Sequence, residues 1–149
     1  MKKLAIVVVL MLELLVIGCG NDTTTAQTDT SGNWQAVLTG GAGEASVLSF
    51  NTKFTVNGDG SLSVTSIQFL TVGTCFVSGA TGSGTANVTT DATTGALSGT
   101  LTLVVQSGNP AGNTLTLNGT VDSNTTTGTW VLTGGEGCNG SGDFTMKKS

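Results

Sequence analysis

Apolar residues recur at every second position along most of this chain, and that period limits what it can fold into. Trp34, Ala36 and Leu38 alternate with Gln35, Val37 and Thr39, while Leu48, Phe50, Phe54 and Val56 share one parity. Successive side chains of an extended strand point to opposite faces, so such a period predicts a sheet with one apolar face and one solvated face. No segment past residue 20 carries a helical period. Thr, Ser, Asn and Gly outnumber the charged residues, a balance that disordered chains share. The sustained alternation over residues 34–146 argues for strands instead.

The turns divide this pattern. Gly40-Gly41-Ala42-Gly43 reverses the chain after the first strand, and Leu48 to Val56 is one long strand or two with a bend at Asn51-Thr52. Asn57-Gly58-Asp59-Gly60 signals a hairpin, because Asn and Gly accept the positive φ of tight turns. Leu62 and Val64 continue the apolar face. Ile67 and Phe69 then take the other parity, which predicts a bulge near Thr65-Ser66 or a strand covered on both sides. Another strand is expected around Cys75-Phe76-Val77, ending in the glycine-rich Gly79 to Gly84.

Val88 to Gly95 and Val121 to Gly128 resemble each other, each reading as a strand end, a polar turn and a new strand from Leu97 or Trp130. Two copies are too few for a solenoid but fit a meander of hairpins. The second half places Leu97, Leu101, Leu103, Val105, Leu115, Leu117, Val121, Trp130, Leu132, Phe144 and Met146 inward, with the small Gly99 and Gly119. Val104 and Val131 stand out as apolar residues on the polar face. Gly108 to Gly112 is a loop holding the single proline. About eight strands result. Short sequential hairpins favour an antiparallel up-and-down barrel; the alternative is a two-sheet β-sandwich.

The first segment is different in kind. Lys2 and Lys3 lead into an apolar run from Leu4 to Ile17, which closes on Gly18-Cys19, the order of an export signal. A membrane-spanning helix needs about 20 apolar residues, and this run is shorter and contains Glu13. Leu15-Val16-Ile17-Gly18-Cys19 resembles the lipobox of bacterial lipoproteins, with Val16 where leucine is usual. That resemblance implies cleavage after residue 18 and attachment of fatty acyl chains such as palmitate to Cys19, hence a membrane partner. A plain secretory signal would also accept Gly18 before the cut. The organisation expected is a signal peptide over 1–18, an anchored flexible spacer over 19–33 and one all-β domain over 34–149. Gly20 is not the aspartate that retains some such proteins at the inner membrane, so the expected address is the outer membrane or cell surface.

A second resemblance concerns the domain. Gly32-Asn33-Trp34 is similar to the Gly-x-Trp opening of lipocalin and avidin barrels. Gly95-Ala96-Leu97-Ser98-Gly99-Thr100 and Asp143-Phe144-Thr145-Met146-Lys147 look avidin-like. These patterns cover a small part of the chain and imply a barrel. The tyrosine and most of the tryptophans of a biotin site have no counterpart, so biotin binding does not carry over. The lipocalin arginine that covers the first tryptophan is absent as well, with Lys147 or Lys148 as its candidate replacement.

Chemistry is sparse. The chain has no histidine or tyrosine and a net charge of −4. Without arginine, an acidic chain lacks the fork-shaped donors and positive field that nucleic acids require. The usual general base is missing, and no serine sits in a nucleophile elbow. Asp59, Asp91, Asp122 and Glu136 are scattered through turns, where carboxylates hold their own backbone. No metal or cofactor is expected, because the pattern around Asp59 lacks the further acids of a calcium loop. With Cys19 assigned to lipid, Cys75 and Cys138 form an even pair, ordinarily a disulfide in an exported domain. Trp34 and Trp130 read first as core residues and second as ligand-facing platforms. The function expected is a lipid-anchored envelope domain with a structural or binding role and no catalysis, its protein or glycan partner unidentified. The alternative is a lipocalin-like carrier of a small apolar ligand. A filled interior favours the first reading, and a hollow above about 300 Å3 the second.

Overall fold

The computed structural model describes residues 30–40, 46–71, 75–76, 79–108, 112–135 and 137–149. Its strands are β1 (Gly32–Gly40), β2 (Ser46–Val56), β3 (Ser61–Phe69), β4 (Thr81–Thr90), β5 (Leu97–Gln106), β6 (Thr114–Asp122), β7 (Thr125–Thr133) and β8 (Gly140–Lys148). Each pairs antiparallel with the next, and β8 returns to β1, so the sheet closes as an up-and-down barrel. The sandwich alternative is thereby excluded. Closure leaves no free sheet edge at the β1–β8 junction, where Trp34 to Gly40 run against Lys148 to Gly142.

The alternating set fills the interior. Every inward residue named from the second half of the sequence is buried, except that Gly99 and Gly119 are half-buried. Val131 is exposed, as its place on the polar face requires. The aromatic rings form two groups. Trp34 stacks on Phe54 with ring centres 5.8 Å apart, near the end where β1 starts. Phe50, Phe69 and Phe76 pack in sequence at 5.5 and 4.9 Å toward the opposite end.

Residues Leu48 to Val56 form one strand rather than two. The parity change in β3 is a bulge: Lys53 faces Ser66 and Phe54 faces Val64, which leaves Thr65 as the extra residue. The strand expected at Cys75-Phe76-Val77 is not there. Cys75 and Phe76 belong to the connection between β3 and β4, and Val77 lies outside the described residues. Their apolar character has another cause, since Phe76 plugs the barrel end against Phe69.

The next strand begins at Thr81 and runs through the stretch that reads as a glycine-rich turn. Strand packing uses these glycines. A Cβ at Gly84 would lie 2.0 Å from the Thr102 carbonyl oxygen, and one at Gly82 would lie 2.9 Å from Val64. β3 and β4 pair only over Ser61 to Ser63. Beyond that, Val64 and Ile67 close the widening seam against Gly82. The two similar segments also part company. The first turns through residues 91–96, whereas the second turns at Ser123 and Asn124 alone, with Ser123 at a φ of 54°. β7 therefore starts at Thr125, ahead of the expected Trp130.

The ordered structure also reaches back before Trp34. Thr30 is buried and accepts a 2.8 Å hydrogen bond from the Trp34 indole, and the Ser31 hydroxyl accepts one from the Val56 N–H. Residues 30–33 thus belong with the barrel, because their backbone and hydroxyl groups close its first end. Residues 1–29, including the segment read as an export signal and Cys19, lie outside the described residues, as do Glu44 and Glu136.

Candidate functional site at the disulfide-closed end

An up-and-down barrel has two ends, and here they differ in kind. The end where β1 starts carries the connections β2–β3, β4–β5 and β6–β7, together with the chain entry at Thr30. At the other end the connections β3–β4, β5–β6 and β7–β8 are tied to one another.

The tie begins with Cys75 and Cys138, which form the expected disulfide with Cα atoms 5.6 Å apart. It joins the β3–β4 connection to the β7–β8 connection. A third connection is bound in by a residue that sequence reasoning passed over. Asn113, 1% exposed, precedes β6 and donates 2.8 Å from Nδ2 to the Cys75 carbonyl. Its Oδ1 accepts 3.0 Å from the Gly135 N–H. Gly134 must be glycine for this, since a Cβ there would sit 2.0 Å from that same oxygen. Ser107 and Asn113 exchange backbone and hydroxyl hydrogen bonds across the base of their own loop. Asn139 closes the β7–β8 connection, accepting from Gly134 N–H and donating to the carbonyls of Gly134 and Gly135. One buried amide therefore links three loops. Its only sequence signal was an asparagine at the edge of a Gly/Pro loop, the type of residue that bonds neighbouring backbone.

Beneath this lid lies a hollow of about 120 Å3, lined by Leu38, Leu48, Cys75, Phe76, Trp130 and neighbouring leucines. The Trp130 indole N–H donates 2.8 Å to the Thr39 carbonyl, so the ring presents only an apolar surface to the hollow. Trp130 and the disulfide thus meet at one end. Trp34 is at the other end, buried against Phe54, and does not face the hollow. Lys148 is the cross-strand partner of Trp34, and its side chain passes over Gly32.

Asp59 and Asp91 occupy turns as expected, whereas Asp122 is the last residue of β6 and Asp143 lies within β8. Asp59 Oδ1 accepts from the Ser61 hydroxyl and N–H, and Asp91 Oδ1 accepts from the N–H groups of Thr93 and Thr94. The Ser61 hydroxyl chiefly holds the Asp59 carboxyl below the ordinary aspartate range, and the Thr94 N–H does so for Asp91. Among the described residues no group of three or more acids and cysteines is placed to hold a metal. The buried hydroxyl of Thr126 has no partner among the described residues.

A second concavity lies on the outside of the wall. It holds about 490 Å3 along β1, β2 and β3 and is lined by Asn33, Gln35, Asn51, Ser66 and Gln68, with Trp34 and Thr52 beneath and Ser149 at one end. The Trp34 side chain points into the barrel, so this groove is no part of the interior. No family model, curated protein or solved structure significantly matches the chain.

Proposed function

We propose that this chain is an exported envelope protein, a β-barrel tethered through lipid on Cys19, with a binding or structural role and no catalysis of its own. The observation that carries the reading is the polarity of the barrel. The chain enters at Thr30, at the end opposite the loops joined by Cys75–Cys138 and Asn113. Residues 19–30 would reach at most about 40 Å when extended, which lets a lipid-bound Cys19 hold the entry end toward a membrane. The stapled loops then face outward, toward a protein or glycan partner. A disulfide of this kind suits an oxidising compartment. The signal-like segment and Gly20 point to the outer membrane or cell surface.

The absence of histidine and the use of Asp59 and Asp91 in their own turns support a non-catalytic role. The carrier alternative needs a larger hollow than the 120 Å3 beneath the lid. Detergent-phase partitioning of the full chain tests the tether. Two or more acyl chains anchor stably, so the wild type should enter the detergent phase and Cys19→Ser should not, or should remain unprocessed. Equal partitioning of both would overturn the reading.

A further inference from the structure

We propose that the outer groove of β1–β3 is a binding site for a neutral oligosaccharide. The wall itself points there. On β5 to β7 the outward positions are mostly threonines, whereas β1 to β3 carry amides at Asn33, Gln35, Asn51 and Gln68. The register sets three of these in one row, Gln35 facing Asn51 and Asn51 facing Gln68. Neighbouring strands lie about 4.8 Å apart, so the row is about 10 Å long. The row lies in the 490 Å3 groove, beside the bulge at Thr65 that bends β3.

The chemistry of the lining selects the ligand. None of the lining side chains is cationic, which leaves a phosphate without a counter-charge among them. Lys53 and Lys147 flank the row by register but do not line it. An apolar ligand would meet amides with nothing to bond. Each amide offers two donors and an acceptor, so the fitting partner carries donors and acceptors in close succession. The vicinal hydroxyls of a sugar do this. The capacity is largely open: the Gln35 Nε2 reaches Asn51 Oδ1 at 3.4 Å, and the Gln68 amide has no partner among the described residues. The floor competes little, since the buried Thr52 hydroxyl already donates to the Ser66 carbonyl. A few neutral hydrogen bonds without aromatic stacking give a dissociation constant on the order of 1 mM.

The inference rests on the envelope reading only for where such a glycan would be met, and its test does not involve the anchor. The full chain, 15N-labelled in detergent micelles, is titrated with cellopentaose, chitopentaose and maltopentaose. At least one should saturably shift the side-chain amide signals of Gln35, Asn51 and Gln68, equally in 0.5 M salt. Gln35→Ala with Gln68→Ala should weaken that binding at least about tenfold, while Asn118→Ala on the threonine wall leaves it unchanged. Should the double variant fail to fold, Gln68→Glu must show the same weakening. Silence of these amides with all three sugars, shifts confined to another face, or loss of binding in salt would overturn the proposal.

Discussion

Replacing Asn113 by alanine removes a side chain that bridges three loops. The change deletes the 2.8 Å bond to the Cys75 carbonyl and the 3.0 Å bond from the Gly135 N–H. An orphaned buried polar group costs about 1–3 kcal/mol, so two would cost roughly 2–6. Gly135 is exposed and Cys75 half-buried, which lets water reach both and selects the lower part of that range. We expect a loss of about 2–3 kcal/mol. For a domain of this size that corresponds to a fall in Tm of roughly 8–12 °C. Guanidinium unfolding followed by tryptophan fluorescence should show a lower midpoint with an unchanged slope, since the surface exposed on unfolding stays the same. A loss below about 0.5 kcal/mol would refute the idea that this amide holds the lid together.

Three further expectations follow from named contacts. Reducing the Cys75–Cys138 bond, which spans a sequence separation of 63, should lower stability by roughly 4 kcal/mol on the loop-entropy estimate; a thermal midpoint indifferent to reductant would contradict it. Thr126→Val keeps the shape of a buried side chain and removes its unpartnered hydroxyl, so it should raise stability by about 1 kcal/mol, and a lower midpoint would reveal a partner for that hydroxyl. Asp59 and Asp91 have depressed folded-state values, so their contribution is present above the unfolded value near 3.9 and lost as pH falls through the folded values. Stability should drop below about pH 4, and Asp59→Asn with Asp91→Asn should flatten that acid limb; an equally steep limb would speak against the assignment.

Much of the barrel was legible because its information is local. The two-residue period names an inward face strand by strand, and Asn57 to Gly60 marks a hairpin. The bulge at Thr65 showed as a change of parity. The cysteine pair was legible by elimination, once Cys19 was assigned elsewhere. What stayed hidden depends on contacts between distant segments. Gly82 and Gly84 look like a turn until β5 comes close enough to forbid a Cβ at Gly84. Phe76 looks like a strand residue until the barrel end offers it Phe69 to pack on. Asn113 is an ordinary loop asparagine until Cys75 and Gly135 are brought to either side of it. The amide row of Gln35, Asn51 and Gln68 likewise exists only once the register is known.

The tether is the claim on which the functional account turns, and the mass of the mature N-terminal peptide tests it most directly. The full chain would be expressed in a bacterium with lipoprotein export, extracted in detergent, digested and weighed. Residues 1–18 should be gone, and the first peptide should begin at Cys19 carrying the mass of its acyl chains. A peptide beginning at Met1, or one beginning at Cys19 without added mass, would contradict it.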